Sequence, residues 1–174
     1  LFCMLRSLVA CECVRALGVF PADQVTPIDR TMHCCFILNT DPRGMPGEHW
    51  LAFFFNNHTN TLEYFDSYGM PLHAYANVYE ALGDHGLTSL HTQANIMGSL
   101  QSNVSLVCVH YCIAYLSWRA NNTRAPTTYF SVSLARRYHA AIQRDKHAVK
   151  IVRDLVRRGN CCIDIDMLER SDCS

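Results

Sequence analysis

A histidine, an acid, an amide and a thiol follow one another in this chain in an order that suits attack on a carbonyl. They are His49, Asp66 17 residues later, Gln101 and Cys108. A thiol attacks poorly at neutral pH until it loses its proton, and an adjacent imidazole can take that proton. A carboxylate beside the imidazole fixes its tautomer and stabilises its charged form. An amide N–H near the thiol receives the negative charge that collects on the attacked oxygen. His49, Asp66, Gln101 and Cys108 are therefore the candidates for base, orienting acid, oxyanion donor and nucleophile.

The surrounding sequence predicts how they are positioned. His49 to Phe55 reads as a strand, Asn56 to Asn60 as a turn and Thr61 to Asp66 as the returning strand. In such a hairpin the start of one strand faces the end of the next, which sets His49 beside Asp66. Val107 to Ala120 is apolar at helical spacing, so Cys108 sits where a loop enters a helix. Partial positive charge at a helix N-terminus favours thiolate there. Gln101 lies seven residues upstream in a polar loop. Each residue also has a purely structural reading. Cys108 is one of 10 cysteines and His49 one of 9 histidines, Asp66 sits in a turn-like Phe-Asp-Ser-Tyr-Gly, and Gln101 could be a solvated loop amide. His110 should point away from the Cys108 face, and Cys112, one turn on, reads as packing.

Elsewhere the pattern predicts a helix over Leu1 to Leu17, stopped at Gly18, then a loop over Pro21 to Asp29. Cys34 to Leu38 reads as a buried strand, Leu72 to Leu82 as a helix and Thr88 to Thr92 as a short strand. Two further helices are expected near Val132 to Ile142 and Lys146 to Arg158. Strands in the first half and helices at the end make one α+β domain over residues 1–174. The chain starts at Leu1 without Met, which reads as an N-terminally incomplete or processed piece.

With 49% hydrophobic and 17% charged residues, the chain has material for a sizeable core and is not of disordered type. A formal net charge of zero argues against a general nucleic-acid binder. The balance is uneven, however. Arg136 to Arg158 holds eight basic residues against Asp145 and Asp154, a local charge of +6. Lys146, Lys150, Arg153 and Arg157 recur there at helical spacing as one ridge, either a solvated face or a DNA contact. The cysteines form no C-x-x-C pair, and no Cys/His spacing suggests zinc, so no metal is expected. Reduced thiols in a reducing compartment are the expectation, with no secretion signal and no membrane span.

These residues resemble the adenovirus endopeptidase (adenain) family, within the wider group that includes the Ulp-type SUMO proteases. The likeness rests on Leu17-Gly-Val-Phe20, on Phe36-Ile-Leu-Asn-Thr40 followed by Gly47-Glu-His-Trp50, on Phe65-Asp-Ser-Tyr-Gly69, and on Gln101 through Cys108. It spans residues 17 to 120 and looks nearest to the proteases of Polinton elements and adintovirus-like genomes. The resemblance implies a papain-like, adenain-type fold, with a mixed central sheet flanked by helices and the nucleophile at the start of a central helix. It implies that His49 is the base, Asp66 orients it, Gln101 helps form the oxyanion hole and Cys108 attacks.

The activity so implied is a cysteine endopeptidase that cleaves viral or transposon capsid precursors near glycine. No cofactor is required, though the resemblance allows activation by DNA or a peptide. Protein substrate is the expected partner of a monomer in host nucleus, cytoplasm or virion. Three departures from the family pattern stand out. Asp66 replaces a frequent Glu, Leu90 falls where a peptide-linking cysteine would be, and Val109 follows the thiol where glycine is usual. A Cβ at Val109 is expected to crowd the oxyanion hole or the incoming chain. Two alternatives follow: a Ulp-like isopeptidase acting on ubiquitin-like proteins, and an inactive protease fold that binds protein or DNA.

Overall fold

The computed structural model describes residues 14–158. Five strands form one sheet in sequence order, β1 (Val14–Phe20), β2 (His33–Asn39), β3 (Trp50–Asn56), β4 (Thr61–Phe65) and β5 (His91–Gln93). The central pairs β2–β3 and β3–β4 are antiparallel and the outer pairs β1–β2 and β4–β5 are parallel, so the sheet is mixed. Four helices complete the domain: α1 (Ala76–Asp84), α2 (Cys108–Ala120), α3 (Tyr129–Arg137) and α4 (Ala141–Arg158). Among the described residues no helix is long and apolar enough to cross a membrane.

The expected helix over Leu1 to Leu17 is overturned where it can be seen. Val14 to Leu17 belong to β1, and the remainder lies outside the described residues. Apolar residues at helical spacing were the only signal there, and pairing with β2 outweighs it. The other elements fall close to their expected places. Residues 72–74 form a 3-10 turn, and α1 begins only at Ala76. Residues 88–90 form another such turn, so β5 starts at His91. The last two helices each begin several residues early.

Every residue of β2 is buried, because both sheet faces are covered. Alternation along the strands divides the core. Cys35, Ile37, Ala52, Phe54 and Phe65 face α2, α3 and α4. Cys34, Phe36, Leu38, Leu51, Phe53, Phe55, Leu62 and Tyr64 face the side packed with Val78 and Leu82 of α1. That is why Phe53-Phe54-Phe55 can be unbroken: neighbours along the strand enter different halves of the core.

Helix α2 is mainly apolar and is enclosed on all sides, with Trp118 its only residue that is not buried. Its far end is gripped electrostatically. Arg119 donates from Nε to Glu63 Oε2 and from Nη2 to Glu63 Oε1, each at 2.6 Å, with both side chains 1% exposed. Tyr115 donates its hydroxyl to Glu63 Oε2 at 3.0 Å, and the guanidinium lies 5.2 Å from the centre of the Phe54 ring.

Candidate active site

The β3–β4 register pairs Ala52 with Phe65, so the next step sets Leu51 opposite Asp66, and His49 is the diagonal neighbour two residues from Leu51 on the same face. His49 thus lies just before β3 and Asp66 just after β4. His49 Nε2 and Asp66 Oδ1 are 2.6 Å apart, with His49 6% exposed and Asp66 fully buried. The hairpin argument from sequence produces this contact as expected.

Asp66 is held as an acceptor on all sides. Its Oδ1 also accepts the Tyr68 N–H at 3.0 Å, and its Oδ2 accepts the Met70 N–H at 2.8 Å and the Tyr75 hydroxyl at 3.0 Å. Four donors therefore converge on this one buried carboxylate. The His49 ring is flanked by Tyr68 at 4.8 Å and Tyr75 at 6.0 Å between ring centres. The turn after Asp66 depends on Gly69, which has φ +71. A Cβ there would meet the Gly98 backbone at 2.7 Å, so the two loops touch main chain to main chain. Asn95 locks the same contact, donating from Nδ2 to Asp66 O at 2.7 Å and to Gly98 O at 2.9 Å.

Cys108 is the first residue of α2 and is 4% exposed. One turn on, the Cys112 thiol donates to the Trp50 carbonyl at 3.2 Å, which fixes the head of α2 against the residue that follows His49. Tyr75 supplies a second link. Its hydroxyl is pushed above the ordinary tyrosine range chiefly by burial, then by the Asp66 charge, with a smaller push from Cys108. The His49 ring, the Asp66 carboxylate and the Tyr75 phenol are thus in direct contact, and the Cys108 thiol is near enough to the phenol to act on it. The other described thiols are silenced by their surroundings. Burial pushes Cys34 and Cys35 each up to about 12 and holds Cys112 well above the ordinary thiol value.

Gln101 is buried, not solvated. Its Oε1 accepts the Ser67 hydroxyl at 2.8 Å, and its Nε2 donates to Ser105 O at 2.6 Å and the Tyr68 hydroxyl at 3.2 Å. Both amide hydrogens are engaged in the resting site. Val109 is 2% exposed and packs in the core between the sheet and the helices.

Lys146, Lys150, Arg153 and Arg157 are exposed along α4, so the ridge exists as a surface. Asp154 interrupts it, 2.6 Å from Lys150 and 4.0 Å from Arg157. The Lys150 hydrogen bond draws the Asp154 carboxyl below its usual range. Among the described residues no group of three or more His, Cys, Asp or Glu could hold a metal ion.

Sequence spacing did not reveal Tyr75, Ser67 or Asn95. Their partners are the acid itself, an amide and main-chain carbonyls, and no local pattern announces such pairings. Asn95 in a turn-rich run between Gln93 and Gly98 was the one available signal.

A family model described as adenovirus endoprotease matches residues 16–128, a span that contains His49, Asp66, Gln101 and Cys108. The chain is similar to the protease of Porcine adenovirus A serotype 3, with 26% identity over 128 residues, covering 66% of this chain and 61% of that protein. It is also similar to the protease of Human adenovirus B serotype 3, with 28% identity over 96 residues, covering 48% of this chain and 46% of that one. The chain thus spans about half to three-fifths of the length of the curated relatives it matches.

Proposed function

Since the chain belongs to the adenovirus endoprotease family, we propose that it is a cysteine endopeptidase acting on protein precursors of a virus or transposon, near glycine. The observation that carries this reading is the buried 2.6 Å contact between His49 Nε2 and Asp66 Oδ1 beside the helix that opens with Cys108. With Nε2 held by the carboxylate, Nδ1 is the nitrogen that exchanges a proton with the thiol. Cys108 gives its proton to His49, and the sulfur adds to the scissile carbonyl carbon, forming the C–S bond. The backbone N–H of Cys108 and one Gln101 N–H receive the oxyanion, the latter by giving up Ser105 O or the Tyr68 hydroxyl. His49 returns the proton to the departing amine as the C–N bond breaks. Water, deprotonated by His49, then splits the thioester and frees the thiol.

Replacing Cys108 by Ala should abolish cleavage of precursor proteins encoded beside this chain while leaving the melting temperature within a few degrees. Mass spectrometry of the product ends would locate the cut. Retained cleavage in that variant would reject the reading. An aspartate as the orienting acid favours a second reading, an isopeptidase acting on ubiquitin-like tails. SUMO and ubiquitin conjugates run beside the capsid-type precursors separate the two. An inactive binding module predicts no preferential alkylation of Cys108 over Cys34, Cys35 and Cys112. The proposed enzyme predicts that preference, and its loss in His49→Ala.

The reaction as written uses no cofactor. The α4 ridge is proposed as a DNA contact that supports activity in a reducing setting, the host nucleus or cytoplasm or the virion. Lys150→Ala with Arg153→Ala should then weaken DNA binding and flatten its salt dependence by about two counterions, since each lost phosphate contact removes about one.

A further inference from the structure

The segment from Ala94 to Val107 has no helix or strand, yet it must hold Gln101 still. A side-chain amide helps an oxyanion only if its backbone is fixed to a fraction of an ångström, since displacement of about 1 Å can cost 10²-fold in rate. The main chain is gripped on both sides of Gln101 by two adjacent residues of α4. Ahead of it, Arg144 donates from Nε to Leu100 O at 2.8 Å and from Nη2 to Ser99 O at 3.3 Å. Behind it, the Ser102 N–H is shared between the two oxygens of Asp145, 3.3 Å from each.

The grip is itself braced. Arg144 Nη1 donates to Tyr138 O at 2.8 Å and His139 O at 2.9 Å, which ties the guanidinium to the junction of α3 and α4. Asp145 is 4% exposed, and the Tyr111 hydroxyl of α2 lies 3.0 Å from its Oδ1 and 3.1 Å from Leu100 O. One phenol on the helix that carries Cys108 thus reaches both halves of the clamp. A buried carboxylate is expensive unless its lone pairs are met. Here they are met by the loop and by the nucleophile's own helix. Helix α4 lies outside residues 16–128, so the family match assigns these residues nothing.

We infer that Arg144 and Asp145 are positioning residues, which hold the Gln101 peptide against α2 so that its amide is in place when the oxyanion forms. This rests on the cysteine endopeptidase reading, in which Gln101 is the donor. Neither residue touches the reacting atoms.

Two readouts test it on the 174-residue chain, with Asp145→Asn and with Tyr111→Phe, which keeps the ring and removes only the hydroxyl. The first is amide hydrogen exchange. Exchange over residues 99–105 should quicken while α2 and the central strands stay unchanged. Unchanged exchange in both variants overturns the clamp, whatever the activity. The second is turnover of a coumarin amide of a peptide ending Gly-Gly. Each variant should lower kcat about tenfold with KM moved less than about twofold, the signature of an interaction made in the transition state. In a Gln101→Ala background the same substitutions should cost less than about twofold more, because residues acting through one group are not additive. Equal losses in both backgrounds, or an undiminished kcat, would refute the positioning role. A wild-type chain that turns over no peptide or precursor would instead defeat the endopeptidase reading, and exchange would still decide the clamp.

Discussion

Asp66 is the residue at which chemistry and folding are hardest to separate. Its two oxygens accept from a ring nitrogen, two main-chain N–H groups and a phenol. An amide is a poor replacement in either orientation, because its NH2 would face a main-chain N–H, that of Tyr68 or that of Met70, whichever way it turned. Asp66→Asn should therefore lower stability by about 1–3 kcal/mol, the cost of leaving buried groups unsatisfied. It should also cut kcat/KM by about 10³ or more through the wrong His49 tautomer. Urea unfolding and steady-state rates check the two effects separately. The pairing of His49 with Asp66 was legible because hairpin register converts sequence separation into distance. The role of Tyr75 was not, because a hydroxyl nine residues beyond the acid gives no periodic signal.

At the scale of elements, α2 is the part the sequence described best. Continuous apolar character over Cys108 to Ala120 can only mean a helix enclosed by other elements, and it is enclosed. Reading Val109 against a family glycine suggested a crowded oxyanion hole. The side chain is buried in the core beside the sheet. Val109→Gly should accordingly not raise kcat. It should lower stability by about 2–3 kcal/mol, from an emptied site and a flexible residue in a helix, seen as a fall in melting temperature. A gain in kcat would restore the crowding account. The β1 strand was illegible for a different reason. Its identity is set by a parallel partner, Val14 opposite His33 through Phe20 opposite Leu38, and not by its own pattern.

For the whole molecule, acid sensitivity should come from buried His33 and half-buried His147. Burial, followed by the charge of nearby His58, draws the His33 pKa below its ordinary 6.5. The His147 pKa is lowered in the same direction by burial, then by Arg137 and Lys150. A group whose pKa falls on folding binds its proton more readily in the unfolded chain. Its contribution is thus complete above about pH 6.5, the unfolded value, and fades as pH drops through the folded one. Urea midpoints should be level above neutrality and decline below it. His33→Gln should make that decline shallower.

The pairing of Glu63 with Arg119 has a reach beyond its own surroundings. Arg119 is eleven residues from Cys108 on the same helix, about 16 Å along its axis. A helix resists twisting, so whatever fixes the azimuth of one end also aims the other. Glu63→Gln, which strands a buried guanidinium, should cost about 3–5 kcal/mol. Where the variant survives, the thiol should be misdirected although nothing near it has changed. In a screen for lost turnover, then, Glu63 and Arg119 should score beside the reactive trio, as the rear sight of a gun matters as much as the muzzle.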